Sequence, residues 1–168
     1  APLVLFIHKY ELNKSFILEI LTHIPDVIIA LLLIYFLLFL IIYKKWNRYK
    51  FFNVSFIALI SVAISVQIKD LLKYVFGRTW PDTWKNGNPS LIVNNEYGFH
   101  FFRSGSAYSS FPSGHATVTF AFFTVLIFFY PKYKKYFYVP LFLLCLGQVF
   151  KYYHFLSDVL AGAFLGWG

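Results

Sequence analysis

Residues 27–43 read Val-Ile-Ile-Ala-Leu-Leu-Leu-Ile-Tyr-Phe-Leu-Leu-Phe-Leu-Ile-Ile-Tyr, an unbroken run without a charge. With its flanks the run is long enough to cross the hydrocarbon layer of a bilayer as a helix. A helix start precedes it at Ile24-Pro25-Asp26, where proline and an acid occupy a first turn that favours both. Composition extends this reading to all 168 residues: 59% are hydrophobic, 23% aromatic and only 13% charged, a membrane protein's profile. The formal charge of +8 does not point to nucleic acid, because the basic residues are interleaved with apolar runs too long for a soluble basic domain.

Upstream of the run, residues 1–23 mix apolar groups with Lys9, Glu11, Lys14 and Glu19, the pattern of an amphipathic segment lying at an interface or of a plain connector. Downstream comes the basic cluster Lys44-Lys45-Trp46-Asn47-Arg48-Tyr49-Lys50, and then a second span from Phe51 to Ile68 with a polar stripe that includes Ser61, Ser65 and Gln67. Lys69 and Lys73 share a face at the end of that helix, which Gly77 terminates. A long aromatic-rich loop fills 77–112, and its length and composition are those of a functional loop. A third span runs from Ser113 to Tyr130, a fourth from Tyr136 to Tyr153, and a fifth follows His154, with Gly162 and Gly166 spaced for close helix packing.

The expectation is therefore an all-α, polytopic transmembrane bundle, a single membrane-embedded domain over 1–168 with about five spans visible. The chain opens without a basic n-region or cleavage site and stops at Trp167-Gly168 within an apolar run, so both ends read as trimmed and a sixth span is expected in the full protein. Cys145 is the only cysteine, which excludes an intrachain disulfide, and no Cys/His cluster suggests a metal.

Charge placement orients the bundle. The short turns 44–50 and 131–135 hold seven Lys and Arg and no acid, the signature of cytoplasmic loops. All seven acids and all five histidines then fall toward the opposite side. That partition gathers Lys69, Lys73, Arg78, Ser113, His115, His154 and Asp158 at one outer surface.

Three stretches there carry chemistry. In Phe111-Pro112-Ser113-Gly114-His115, Ser113 caps a new helix, Gly114 lets backbone N–H groups approach an anion, and His115 stands in the first turn beside it. Lys73-Tyr74-Val75-Phe76-Gly77-Arg78 supplies two cations suited to phosphate oxygens. In His154-Phe155-Leu156-Ser157-Asp158, helical i,i+4 spacing puts the carboxylate within reach of the ring, where it orients the imidazole as a nucleophile.

Together the stretches resemble the three signature motifs of the type 2 phosphatidic acid phosphatase superfamily: Lys, six residues, Arg-Pro; Pro-Ser-Gly-His; and Ser-Arg, five residues, His, three residues, Asp. The resemblance covers roughly Lys73 to Gly162. It implies that His154 attacks phosphorus, that Asp158 orients it, and that His115 protonates the leaving oxygen and then activates water. Lys73, Ser113 and Gly114 would hold the phosphoryl oxygens, with no metal or other cofactor. Two positions depart from the pattern. Trp80 stands where the first motif has arginine, and Gly147-Gln148 stand where the third has Ser-Arg. Arg78 is expected to take over the phosphate contact left vacant by Trp80, and Lys151 or Arg103 to compensate for the arginine missing at Gln148, although Lys151 also reads as a lysine snorkelling to the interface.

The implied function is an integral-membrane lipid phosphatase with the bilayer and a phosphorylated lipid as partners. It is expected in the bacterial inner membrane, with the site facing the periplasm. Lipid A phosphate ranks first as substrate, then undecaprenyl diphosphate or a glycerophospholipid phosphate. A lipid phosphotransferase and a catalytically lapsed scaffold or lipid-binding protein are the alternatives; a haloperoxidase fits least, since those relatives are soluble.

Overall fold

The computed structural model describes residues 2–46, 49–84 and 87–168. Its helices are α1 (Pro2–Lys9), α2 (Phe16–Thr22), α3 (Ile24–Trp46), α4 (Lys50–Phe76), α5 (Leu91–Asn94), α6 (Gly114–Phe129), α7 (Lys134–Phe150) and α8 (Leu156–Trp167). Among the described residues no strand forms, and only isolated bridges such as Arg78 to Phe99 occur within the loop. The all-α bundle expected from the apolar runs is the fold observed.

Length and composition bound the spans from below. Two segments, Phe16–Ile41 and Lys50–Phe76, are long and apolar enough to cross a membrane, and a third counts if α6 and α7, bent by 117° at Pro131, form one broken span. With 16 and 17 residues, α6 and α7 lie at the short end of the lengths that cross a bilayer, about 17–25 residues. Periodicity shows that a segment is apolar and helical, but it does not show where the chain turns back within the layer.

The helix start at Ile24 lies where the sequence places it. The second span, expected to end near Ile68, continues two further turns to Phe76 and carries Lys69 and Lys73 on helical backbone. Outward-facing Ile41, Phe128 and Phe164 are exposed at 79%, 77% and 83%, a surface that lipid tails cover and water does not favour.

At the centre stands α6, packed most extensively on α8 and α4 and touching α7 and α3. Ile28 and Leu32 of α3, Val62 of α4, and Val118 and Ala121 of α6 form one core cluster. The α6–α8 approach depends on missing side chains. A Cβ at Gly162 would lie 2.4 Å from the Ser113 carbonyl oxygen, and one at Gly166 2.4 Å from that of Thr117.

Residues 1–23 do more than lie at an interface. Val4 and Ile7 of α1 are buried with Val149, Tyr152 and Phe155, so the N-terminal helix closes the core beneath the third motif.

The two ends of the bundle are chemically distinct. Lys50 donates to the Phe129 carbonyl at 3.0 Å and lies 5.0 Å from the Tyr130 ring centroid, which brings both expected basic turns to one end. Asn47 and Arg48 of the first turn lie outside the described residues. At the other end the 77–112 loop folds back over the helix tips: His100 N–H donates to the Gly77 carbonyl at 2.8 Å and Phe102 N–H to that of Val75 at 3.0 Å. Gly77 itself has φ of +52°, and a Cβ there would fall 2.0 Å from the His100 oxygen, so only glycine closes α4 this way.

Candidate active site

Ser113 caps α6, its hydroxyl accepting from Ala116 N–H at 3.4 Å. Its own N–H donates to the Asp158 carbonyl at 2.9 Å, which ties the second motif to the third. Gly114 opens the helix beside the Lys69 stem, 3.2 Å from where its Cβ would stand. In the first turn His115 faces a cavity of about 490 Å³ that His154 also lines, the two ring centroids 6.2 Å apart. Lys73, in the last turn of α4, approaches that cavity through Trp80 and does not itself line it. Its Nζ donates to the Ser109 carbonyl and lies 5.7 Å from the Trp80 ring centroid, and Trp80 in turn packs 5.2 Å from His154. The structure thus brings Lys73, Ser113, Gly114, His115, His154 and Asp158 to one end of the bundle from three separate segments.

His154 and Asp158 are not on one helix. His154 precedes α8, whose N-cap is Phe155, and the Asp158 carboxylate turns back to accept Phe155 N–H at 3.1 Å. The His154 Nδ1 to Asp158 Oδ2 separation is 3.7 Å, an ion-pair distance rather than a hydrogen bond, and Nδ1 has no hydrogen-bond partner among the described residues. Asp158 is nonetheless behind the ring, fully buried, and held by the Ser110 hydroxyl at 2.6 Å and by Arg78 Nη1. His154 is 2% exposed. Burial pushes its imidazole below the ordinary histidine range, and the Asp158 carboxylate offsets only part of that, so the neutral ring is favoured.

Arg78 is not where the sequence reading puts it. The guanidinium is 2% exposed and donates to Asp158, to the Ser157 hydroxyl at 2.7 Å and to the Tyr97 hydroxyl at 2.8 Å, between the rings of Tyr97, Phe99 and Phe155. It lies behind Asp158 and does not line the cavity. An isolated buried carboxylate is costly, and the nearest guanidinium in the fold compensates it instead of waiting for a ligand.

The other proposed substitutes are also committed elsewhere. Lys151 pairs with Glu19 at 3.5 Å, and Arg103 donates to the Tyr108 hydroxyl at 3.0 Å on the surface. Gln148, at the arginine position of the third motif, is fully buried, and neither amide atom of its side chain has a partner among the described residues.

Sequence reasoning missed Ser110, Ser157 and Tyr97, which reach Asp158 and Arg78 from outside the motif positions, and no spacing rule would have found them. It also missed His23 and Asp26, which line the cavity from the α2–α3 junction. A larger cleft, of about 870 Å³, runs between α4, α6 and α8 on the far side of Pro112, but no titratable group lines it.

The chain is 35% identical over 131 residues to a Lipid A 1-phosphatase of Rhizobium johnstonii, covering 75% of this chain and 46% of that protein. It is 36% identical over 111 residues to a Lipid A 1-phosphatase of Rhizobium etli, covering 64% and 44%. It thus spans less than half the length of these curated relatives. No solved structure matches it. Residues 54–168, which contain Lys73, the Pro-Ser-Gly-His stretch and the His154–Asp158 pair, match the PAP2 superfamily, and the chain belongs to that family.

Proposed function

We propose that this protein is a membrane phosphatase that removes a phosphate group from a lipid through a phosphohistidine, with lipid A phosphate the leading substrate. The observation that carries the reading is the placement of two histidines on one cavity with a carboxylate behind only one of them. With Nδ1 on the Asp158 side, Nε2 of His154 is the nitrogen for attack, and burial keeps it unprotonated. Its lone pair forms the N–P bond as the P–O bond to the lipid breaks, and His115 passes a proton to the departing oxygen. His115 then takes a proton from water, whose oxygen attacks phosphorus and releases inorganic phosphate and neutral His154. Lys73 and the first N–H groups of α6 stabilise charge on the phosphoryl oxygens without forming a bond to them.

The printed names of both relatives favour lipid A phosphate over an isoprenyl diphosphate or a glycerophospholipid phosphate. Segregation of the basic turns from the cavity supports a periplasm-facing site in a bacterial inner membrane. Trp80, packed on His154 at the arginine position, favours the lapsed-scaffold alternative, which the same experiment addresses.

Brief incubation of the reconstituted protein with a radiolabelled lipid phosphate, quenched without acid, is expected to leave an acid-labile phosphoryl group on His154. His115→Ala should still label from a substrate with an activated leaving group but turn over about 10²–10⁴ times more slowly. His154→Ala should not label. Label on His115 would reverse the two roles, and no phosphate release by the wild type from any of the three lipid classes would leave the scaffold reading.

A further inference from the structure

The mouth of the cavity contains a polar pair outside the family-matched region. His23 Nδ1 and Asp26 Oδ2 are 2.8 Å apart at the α2–α3 junction, and both side chains line the cavity that contains His115 and His154. The side chains are 63% and 60% exposed, so the pair is open to a ligand instead of being locked in the core. Trp84 and Tyr153 pack with ring centroids 4.6 Å apart and line the same cavity.

The cavity that holds His115 and His154 therefore also presents aromatic rings and a carboxylate. An ionised carboxylate only accepts hydrogen bonds, so it suits hydroxyl or amine donors and gives nothing to a second phosphate. Aromatic rings suit the apolar face of a ring that carries those hydroxyls on its rim. A chain alcohol uses the rings poorly, and a diphosphate uses the carboxylate not at all.

We propose that His23 and Asp26, with Trp84 and Tyr153, form a subsite for a hydroxyl-bearing sugar ring that carries the scissile phosphate, and that this N-terminal element sets substrate choice. The proposal rests on the phosphatase reading for its kinetics but not for its binding. A hydroxyl of the ring donates to Asp26, His23 holds that carboxylate in place through Nδ1, and the ring lies against the Trp84–Tyr153 wall. The phosphate is thereby positioned between His115 and His154. Specificity of this kind is strong because a polar group built to meet a hydroxyl is left unpaired by a substrate that lacks it.

The test uses the protein in nanodiscs and two lipids, an alkyl glycosyl 1-phosphate and dioleoyl phosphatidic acid. Asp26→Ala and Trp84→Ala are each expected to lower the ratio of kcat/KM for the sugar substrate to that for phosphatidic acid by about tenfold or more, mainly through KM. A deoxy analogue of the sugar lipid should erase the Asp26→Ala effect, and Asp26→Asn should retain part of the preference. Equal losses on both lipids, or no change in the ratio, would overturn the proposal. Binding of a short-chain alkyl glycoside without phosphate, read by tryptophan fluorescence, separates the two readings. Glycoside binding that Asp26→Ala weakens, in a protein that hydrolyses neither lipid, would sink the phosphatase reading and keep the subsite. No glycoside binding by the wild type would sink the subsite alone.

Discussion

His154 and His115 share a cavity, yet they are held in opposite ways. His154 is 2% exposed and sits over a buried layer in which Asp158 takes hydrogen bonds from Ser110, Phe155 N–H and Arg78. Arg78 is itself held by Ser157 and Tyr97. His115 has no such hydrogen-bonded layer among the described residues: its backbone is set by the Ser113 cap and by the Thr119 hydroxyl, which donates to its carbonyl at 2.8 Å. The wall behind the proposed nucleophile is over-determined, whereas the proposed acid stands at a helix end on the cavity that His23 and Asp26 also line. The difference suits the proposed chemistry. Attack on phosphorus needs a fixed nitrogen, and proton transfer needs a group that meets both leaving oxygen and water.

The strongest way to break the comparison is to remove the layer behind His154. Asp158→Ala should lower kcat by about 10⁴, the scale seen when a histidine loses its orienting carboxylate. It should also destabilise the fold by about 3–5 kcal/mol, because Arg78 is left buried without its counter-charge. Arg78→Lys should lower kcat about tenfold with KM little changed, as expected of a positioning residue. An Arg78→Met, Asp158→Leu double variant should recover stability in thermal denaturation but not activity. A rise in KM without loss of kcat in Arg78→Lys would return Arg78 to the phosphate.

A smaller effect concerns pH. Because burial pushes His154 down, the neutral nucleophile persists below the ordinary histidine value of about 6.5, and the acid limb of kcat/KM should fall below that value. Activity is lost as pH drops through the lowered pKa, since protonation blocks Nε2. Asp158 holds the imidazolium up, so Asp158→Asn should move the limb further down in whatever activity remains. A limb above the ordinary histidine range would contradict the buried, neutral setting.

The smallest effect is at Gln148. An unpartnered buried amide costs about 1–3 kcal/mol, so Gln148→Leu should raise the thermal midpoint in the absence of substrate. If the amide also meets phosphate, kcat/KM falls together with that gain. Unchanged kinetics would leave the third motif's arginine position without a function here.

Much of this was legible in the chain. The charge-free run after Ile24-Pro25-Asp26, the Ser113 cap, Gly77 as a helix end and the Gly162–Gly166 spacing each express a local rule, and each holds in the fold. The motif stretches could be named for the same reason, since their residue types and separations carry the information. Span number could not be read, because a 16-residue and a 17-residue apolar helix give the same periodic signal whether they cross or bend back at Pro131.

By itself the sequence determined the helical class, the segregation of basic turns from acids and histidines, and the identity of His115, His154 and Asp158 as candidates. Local hydrogen bonding and hydropathy act between neighbours in the chain and leave marks there. Tertiary structure alone decided that Arg78 serves Asp158 and not a ligand, that His154 lies off the helix of its partner, and that His23 and Asp26 share the cavity. Buried charge must be compensated by whatever group the packing brings close, and Arg78 and Asp158 are 80 positions apart in the chain.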